Sequence, residues 1–323
     1  MTLAIRLDNI TKTFGRGKRK VEAVKNVSLE IEARQVYGFL GPNGAGKTTT
    51  IRMLLDLMRP TQGSAHIYGQ NVQEHNDVLR RVGMLVEGPS FYPYLTGRRN
   101  LEILARSYGN YDLVRIDALL EEVDLLKRAK QKYRKYSLGM KQRLGLAAAL
   151  LHDPELVILD EPTNGLDPAG IQEMRALIRN LVDHQGKTVF LSSHLLSEVE
   201  QVCDRVAIIN KGEIIREGAV STLVAERAQV RIQATPHETA RQLIAERWPI
   251  ARDTTANGLP ALLVDMPHEE VPHAVRKLVE GNVQVFEITT QKQTLEEVFL
   301  SLTGTPVNAM NGVKAGEKME AAQ

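Results

Sequence analysis

The segment Gly41-Pro-Asn-Gly-Ala-Gly-Lys-Thr48 combines the residue types needed to hold a phosphate. Closely spaced glycines let a backbone curl so that its N–H groups converge into an anion-binding nest. A helix starting near Lys47 would add its positive end. Lys47 can then reach terminal phosphate oxygens, and the Thr48 hydroxyl can serve a divalent cation such as Mg²⁺. A chance glycine-rich turn is the alternative. The context argues against it, because the apolar run Gln35-Val-Tyr-Gly-Phe-Leu40 precedes the loop as a strand and a helical pattern follows.

A second constellation complements the first. Leu156-Val-Ile-Leu-Asp-Glu-Pro162 reads as a buried strand that delivers Asp160 at its carboxyl end, where open α/β sheets place ligands. Asp160 is suited to Mg²⁺, directly or through water. Glu161 is the candidate general base for an attacking water. Ser192-Ser-His194 follows another apolar run and places an imidazole at a strand end. Phe14 follows the first strand, where a ring can stack on a base; by itself it reads as a half-buried aromatic.

The elements that must position these residues follow from hydrophobic periodicity. Leu3, Ile5 and Leu7 alternate, as do Val27, Leu29 and Ile31, which predicts antiparallel strands. Residues 64–68, 82–86, 156–159 and 188–191 predict further strands. Helices are expected after Thr48, after Pro168 and over 195–202. From about 95 to 151 helical periodicity dominates and forms an insert. Val206 to Ile215 predicts a hairpin turning on residues 210–212. The pattern is an α/β domain with a mixed sheet, an antiparallel β subdomain and a helical insert. We place it at 1–225. Beyond it, three strands near 230–234, 261–265 and 283–288, with helices near 236–247, 268–280 and 293–303, predict a small C-terminal α+β domain at 226–303. Residues 304–323 carry few large apolar side chains and are expected to be disordered.

Composition narrows the functional classes. The 323 residues have a formal net charge of +2, which supplies no global field for nucleic acid. The run Arg16-Gly-Lys-Arg-Lys20 reads as a solvated hairpin tip, with contact to anionic lipid or phosphate as the alternative. Cys203 is the single cysteine, so no intrachain disulfide is possible; a buried small apolar role and a reducing compartment fit. The start of the chain does not predict a signal peptide. No apolar run approaches the roughly 18 residues of a spanning helix.

Tyr136-Ser-Leu-Gly-Met-Lys-Gln-Arg-Leu144 lies in the helical insert, before the Asp160 strand. It resembles the ABC signature motif, in a variant with Ser-Leu-Gly-Met where many members have Ser-Gly-Gly-Gln. Asn164-Gly-Leu-Asp167 resembles the D-loop, and Ser192-Ser-His194 the H-loop. The resemblance runs from about residue 3 to 220. It implies the P-loop NTPase fold of an ABC nucleotide-binding domain. It also implies ATP contacts from Phe14, Gly41, Pro42, Asn43, Gly44, Ala45, Gly46, Lys47, Thr48, Thr49, Glu87, Ser137, Gly139 and Asp167. Catalysis would rest on Glu161, His194 and Lys47, and Mg²⁺ on Thr48, Asp160 and Glu87. Two copies would pair head-to-tail, with Ser137 and Gly139 facing the γ-phosphate held by the other subunit. An integral membrane permease would be the partner, at the cytoplasmic face of the membrane, with no nucleic acid involved.

The alternative is an ABC ATPase acting on ribosomes or nucleic acid. The translation-factor branch carries two nucleotide domains in one chain, and the chromosome branch splits its halves with long coiled coils; neither feature is read here. An importer motor, or another ABC-2 cargo such as lipid, polysaccharide or drug, is the third reading. The segment ending Leu295-Glu-Glu-Val-Phe-Leu-Ser-Leu-Thr303 looks like the accessory domain of ABC-2-type exporter ATPases.

Glu87 stands where most members have Gln, which resembles exporters that confer self-immunity to bacitracin or lantibiotics. An ionised carboxylate is a stronger Mg²⁺ ligand than an amide but donates no hydrogen bond. It also repels phosphate until metal offsets its charge. In the whole transporter, Glu87→Gln is therefore expected to leave ATP affinity nearly unchanged and to lower export more than basal ATPase. Wild-type export and ATPase together would remove any special role for the carboxylate.

Overall fold

The computed structural model describes residues 2–303 apart from 87, 89–90, 110–111, 226–228, 257 and 292–293. The expectations for Glu87 and for a tail at 304–323 lie outside the described residues. The chain divides into two units, with the break after Gly218.

In the first unit, β1 (Leu3–Phe14) pairs antiparallel with β2 (Val21–Glu32). Their buried positions largely alternate, as a half-buried ladder requires. Then come β3 (Val36–Leu40), α1 (Lys47–Leu54), β4 (Gln62–Ile67), the short β5 (Gln70–Asn71) and β6 (Val82–Leu85). The helical insert contains α2 (Gly97–Ser107), α3 (Leu113–Glu122) and α4 (Leu138–Ala149). It is followed by β7 (Leu156–Asp160), α5 (Pro168–Asp183), β8 (Thr188–Ser193), α6 (Leu196–Val202), β9 (Arg205–Asn210) and β10 (Glu213–Ala219).

Two sheets result. One has the order β2-β1-β4-β5, and the six-stranded one the order β10-β9-β3-β8-β7-β6. The pairs β9·β3, β3·β8, β8·β7 and β7·β6 are parallel. Every residue of β3 and β7 is buried, which explains why both read as continuous apolar runs rather than alternating ones. Phe190 lies between Tyr37 and Phe39, at ring distances of 6.2 and 5.7 Å. Gly38 has no room for a Cβ, because Cys203 Sγ would lie 2.9 Å from it. Cys203 thus fills the core, and its burial pushes the thiol up.

The insert's helices start where their caps dictate. Thr96 accepts from Arg99 N, Asp112 from Val114 N and Ser137 from Met140 N. Buried Asn100 ties the preceding loop together by accepting from Tyr92 N at 2.8 Å and donating to Thr96 O at 3.0 Å.

The second unit opens with α7 (Val220–Ala225) and continues through β11 (Gln229–Thr235), α8 (His237–Ala245), β12 (Ile250–Ala256), β13 (Leu259–Asp265), α9 (Val271–Glu280), β14 (Gln284–Gln291) and α10 (Leu295–Thr303). The sheet order β12-β13-β11-β14 gives the split βαβ topology. Two expectations are corrected here. The break precedes residue 225, because α7 packs against α10 of the second unit. A fourth strand, β12, was not expected. It is a polar edge strand, Ile-Ala-Arg-Asp-Thr-Thr-Ala, and offers no apolar alternation to read.

Phe190→Ala is expected to cost about 3–5 kcal/mol by leaving a cavity in the central sheet. Calorimetry checks this, and an unchanged melting temperature would contradict the packing role assigned to the ring.

Candidate active site

The site forms where β3, β7 and β8 end together. Leu40 pairs with Ser193, and Asp160 with Ser192, so the segments after these strands emerge side by side. After β3 the chain turns through Gly41–Gly46. Gly44 and Gly46 have φ of 81° and 110°, in the left-handed region that glycine adopts freely. A Cβ on Gly41 would lie 2.2 Å from Ile209 O, and one on Gly46 2.6 Å from Ala23 O. Both glycines are therefore required by close backbone approach. The loop is fixed by Gly41 N donating to Ser193 O at 3.2 Å and Gly212 N donating to Ala45 O at 2.9 Å. Gly46 caps α1, so Lys47, Thr48 and Thr49 form its first turn.

Lys47 is buried. Its Nζ donates to Gly41 O at 2.7 Å and Pro42 O at 3.3 Å, and lies 3.1 Å from Glu161 Oε1. The Thr48 hydroxyl donates to Asp160 Oδ2 at 2.9 Å. Ser192 Oγ donates to Asp160 Oδ1 at 2.5 Å and accepts from Glu161 N at 3.0 Å. Glu161 adopts a left-handed φ of 52°, a conformation that costs a non-glycine residue on the order of 1 kcal/mol or more.

Glu161 Oε2 lies 2.6 Å from His194 Nδ1. An ionised carboxylate only accepts, so Nδ1 carries the proton and Nε2 faces away from Glu161. Burial pushes the Glu161 carboxyl up. The His194 hydrogen bond and the Lys47 ammonium outweigh it, and the group sits below its ordinary value. Lys47, Thr48, Asp160, Glu161 and His194 are thus joined into one cluster.

Other expected residues lie elsewhere on the first unit. Phe14 is exposed at the end of β1, opposite Val21, with Lys12 Nζ 5.5 Å from its ring centroid. It stands one step along the ladder from the Thr13–Glu22 pair, and Glu22 precedes Ala23, whose carbonyl faces Gly46. Ser137 is the exposed N-cap of α4, and Asp167 caps α5 by accepting from Gly170 N at 3.2 Å. Among the described residues, Ser137, Gly139 and Asp167 have no bond to Lys47, Thr48, Asp160 or Glu161. The segments that carry them approach each other: a Cβ on Gly165 would lie 3.0 Å from Leu138 Cδ2, and one on Gly139 3.8 Å from Leu166 Cδ2. Ser192 was not expected as a site residue. The signal was its place opposite Asp160, which becomes visible only once β7 and β8 are in register.

A strand–glycine loop–helix with a buried lysine, beside a strand ending in adjacent acids, defines a P-loop ATPase, here with an α-helical insert. The ABC transporter family profile matches residues 24–164. The chain is 42% identical over 306 residues to the bacitracin transport ATP-binding protein BcrA of Bacillus licheniformis, covering 94% of this chain and 98% of that one. It is 34% identical to the daunorubicin/doxorubicin resistance ATP-binding protein DrrA of Streptomyces peucetius, covering 99% and 98%. Among solved structures, a dimeric ATP-binding cassette in a post-hydrolysis state with ADP and Pi aligns with a TM-score of 0.61 at 28% identity, covering 67% of this chain and 98% of that one. This chain belongs to the ATP-binding subunits of ABC transporters, and it is an ATPase.

Ser192→Ala is expected to cost about 1–3 kcal/mol, because buried Asp160 loses a donor and Glu161 N–H loses its closer acceptor. Urea denaturation checks this. Unchanged stability would show that the hydroxyl is dispensable to both groups.

Proposed function

We propose that this chain is the motor of a membrane exporter, working as a head-to-tail homodimer on a separate integral membrane permease. Peptide-antibiotic or drug efflux is the cargo class. The observation that carries the reading is the contiguous Lys47–Glu161–His194 arrangement at the ends of β3, β7 and β8. The named transport and drug-resistance roles of the relatives support the cargo class. The dimeric cassette supports pairing. Among the described residues no helix is long and apolar enough to cross a membrane, so a spanning partner supplies the path. The cytoplasmic face of the membrane is the location this arrangement requires, because ATP must reach the subunit.

The loop N–H groups and Lys47 bind the β- and γ-phosphates. Phe14 is the stacking surface for adenine. Thr48 and Asp160 are hard oxygen donors 2.9 Å apart, and they fit Mg²⁺ together with phosphate and water. Bound there, Mg²⁺ would neutralise phosphate charge. Engaging phosphate draws Lys47 away from Glu161 and relieves an attraction that holds this carboxyl low. Glu161 then becomes a better acceptor for the proton of the attacking water. His194 keeps Glu161 oriented through Nδ1–H and turns Nε2 toward the γ-phosphate.

Glu161→Gln is expected to bind ATP normally, to lose at least about 100-fold in hydrolysis as a missing general base requires, and to accumulate an ATP-bound dimer. Near-normal turnover would remove Glu161 from the role of base. Mixing Lys47→Ala with Ser137→Ala protein should restore activity, since one heterodimer site then carries both defects and the other neither. No recovery, in mixtures shown to contain heterodimer, would refute shared sites.

A further inference from the structure

Two buried polar residues lie outside the phosphate cluster. Thr163 and Glu198 are each only 6% exposed, and the Thr163 hydroxyl donates to Glu198 Oε2 at 2.5 Å. The space they share is lined by apolar Pro162, Ile178, Leu191 and Val199 and by polar Arg175 and Ser193. A buried carboxylate is costly unless it is bonded or paired, and a well-packed apolar pair is often as stable. Stability alone therefore gives little reason for the pair.

Its placement gives a better one. Thr163 follows Glu161 by two residues and belongs to two successive turns. Asn164 N donates to Glu161 O at 3.1 Å, and Leu166 N donates to Thr163 O at 3.1 Å. Glu198 follows His194 by four residues, in the first turn of α6. The segments after β7 and β8 are thus tied at two ends. At the near end, Ser192 bonds Asp160 Oδ1 and Glu161 N. At the far end, Thr163 bonds Glu198. Between these ties sit Glu161 and His194, 2.6 Å apart, with Glu161 held in an unfavourable left-handed conformation.

We propose that Thr163 and Glu198 are positioning residues for ATP hydrolysis: their bond closes the far end of this frame and keeps the Glu161 carboxylate aligned with His194. Neither touches the phosphate loop or its lysine among the described residues, so the effect falls on the chemical step and not on nucleotide binding. The proposal rests on Glu161 as base and His194 as its orienting partner.

Steady-state ATPase measurements on the purified full chain test it. Thr163→Val keeps the shape and removes the donor. It should lower kcat about tenfold while KM for ATP stays within about twofold, as expected when only the reacting geometry is disturbed. Thr163→Ser should return kcat to within about twofold of wild type, because the donor is restored. Glu198→Gln keeps an acceptor oxygen and should fall between the two, which preserves the test if Thr163→Val fails to fold. In a His194→Ala background, Thr163→Val should add less than about twofold, since coupled residues are not additive. A wild-type kcat for Thr163→Val, no rescue by serine, or full additivity with His194→Ala would each overturn the proposal. Glu161→Gln, measured alongside, separates the two readings. If it turns over normally, the base assignment has failed; if it is inactive while Thr163→Val is normal, only the positioning role has failed.

Discussion

The parallel pairing of β7 with β8 is the constraint on which the site depends. Its last step sets Asp160 opposite Ser192. That register places a hydroxyl between the Asp160 carboxylate and the Glu161 amide, and it lets the chains continue side by side to Glu161 and His194. A slip of one residue would turn every side chain of β7 to the opposite face and separate these groups. β3 pairs with β8 on its other edge, so the phosphate loop shares the same reference. The buried apolar strands are therefore the ruler against which the polar groups are set.

Within that frame the electrostatics are arranged around one buried ammonium. Lys47 would be costly to bury alone, and two loop carbonyls together with Glu161 hold its charge. Against the effect of burial, the His194 hydrogen bond and this same contact hold the Glu161 carboxyl below its ordinary value. Under the proposed function, substrate binding and base activation are thus coupled through one side chain. A phosphate that takes Lys47 weakens its hold on Glu161. In the proposed mechanism this linkage makes Glu161 a stronger proton acceptor in an occupied site than in an empty one.

The sequence made legible what local backbone demands encode. Gly41, Gly44 and Gly46 were readable because close approach or positive φ leaves few other residues possible. Strands β3, β7 and β8 were readable because burial on both faces gives each a continuous apolar run, which in β7 and β8 gives way to polar residues at the carboxyl end. Pro168 announced its helix, since proline is favoured in the first turn. Strand β12 was not readable, since an edge strand of Arg, Asp and Thr looks like a loop. Nor were Ser192 and the Thr163–Glu198 bond. Their partners lie 32 and 35 residues away in the chain, and only tertiary register joins them. The left-handed backbone of Glu161 was hidden for a related reason, because surrounding bonds impose it and the residue's own preference does not.

The glycines also separate what this chain needs for itself from what it offers outward. Gly41 and Gly46 are dictated internally, for a Cβ there would strike Ile209 O or Ala23 O. Gly139 is different. The nearest atom to a Cβ at that position is Leu166 Cδ2, at 3.8 Å, an ordinary contact, and its φ is not positive. Intramolecular packing and backbone conformation therefore give no reason for it. The neighbouring Ser137 spends its side chain on Met140 N, which leaves the other first-turn amides of α4 free of intrahelical partners. A bare helix end of this kind carries the positive end of the helix dipole, which favours an anionic group approaching from outside the chain.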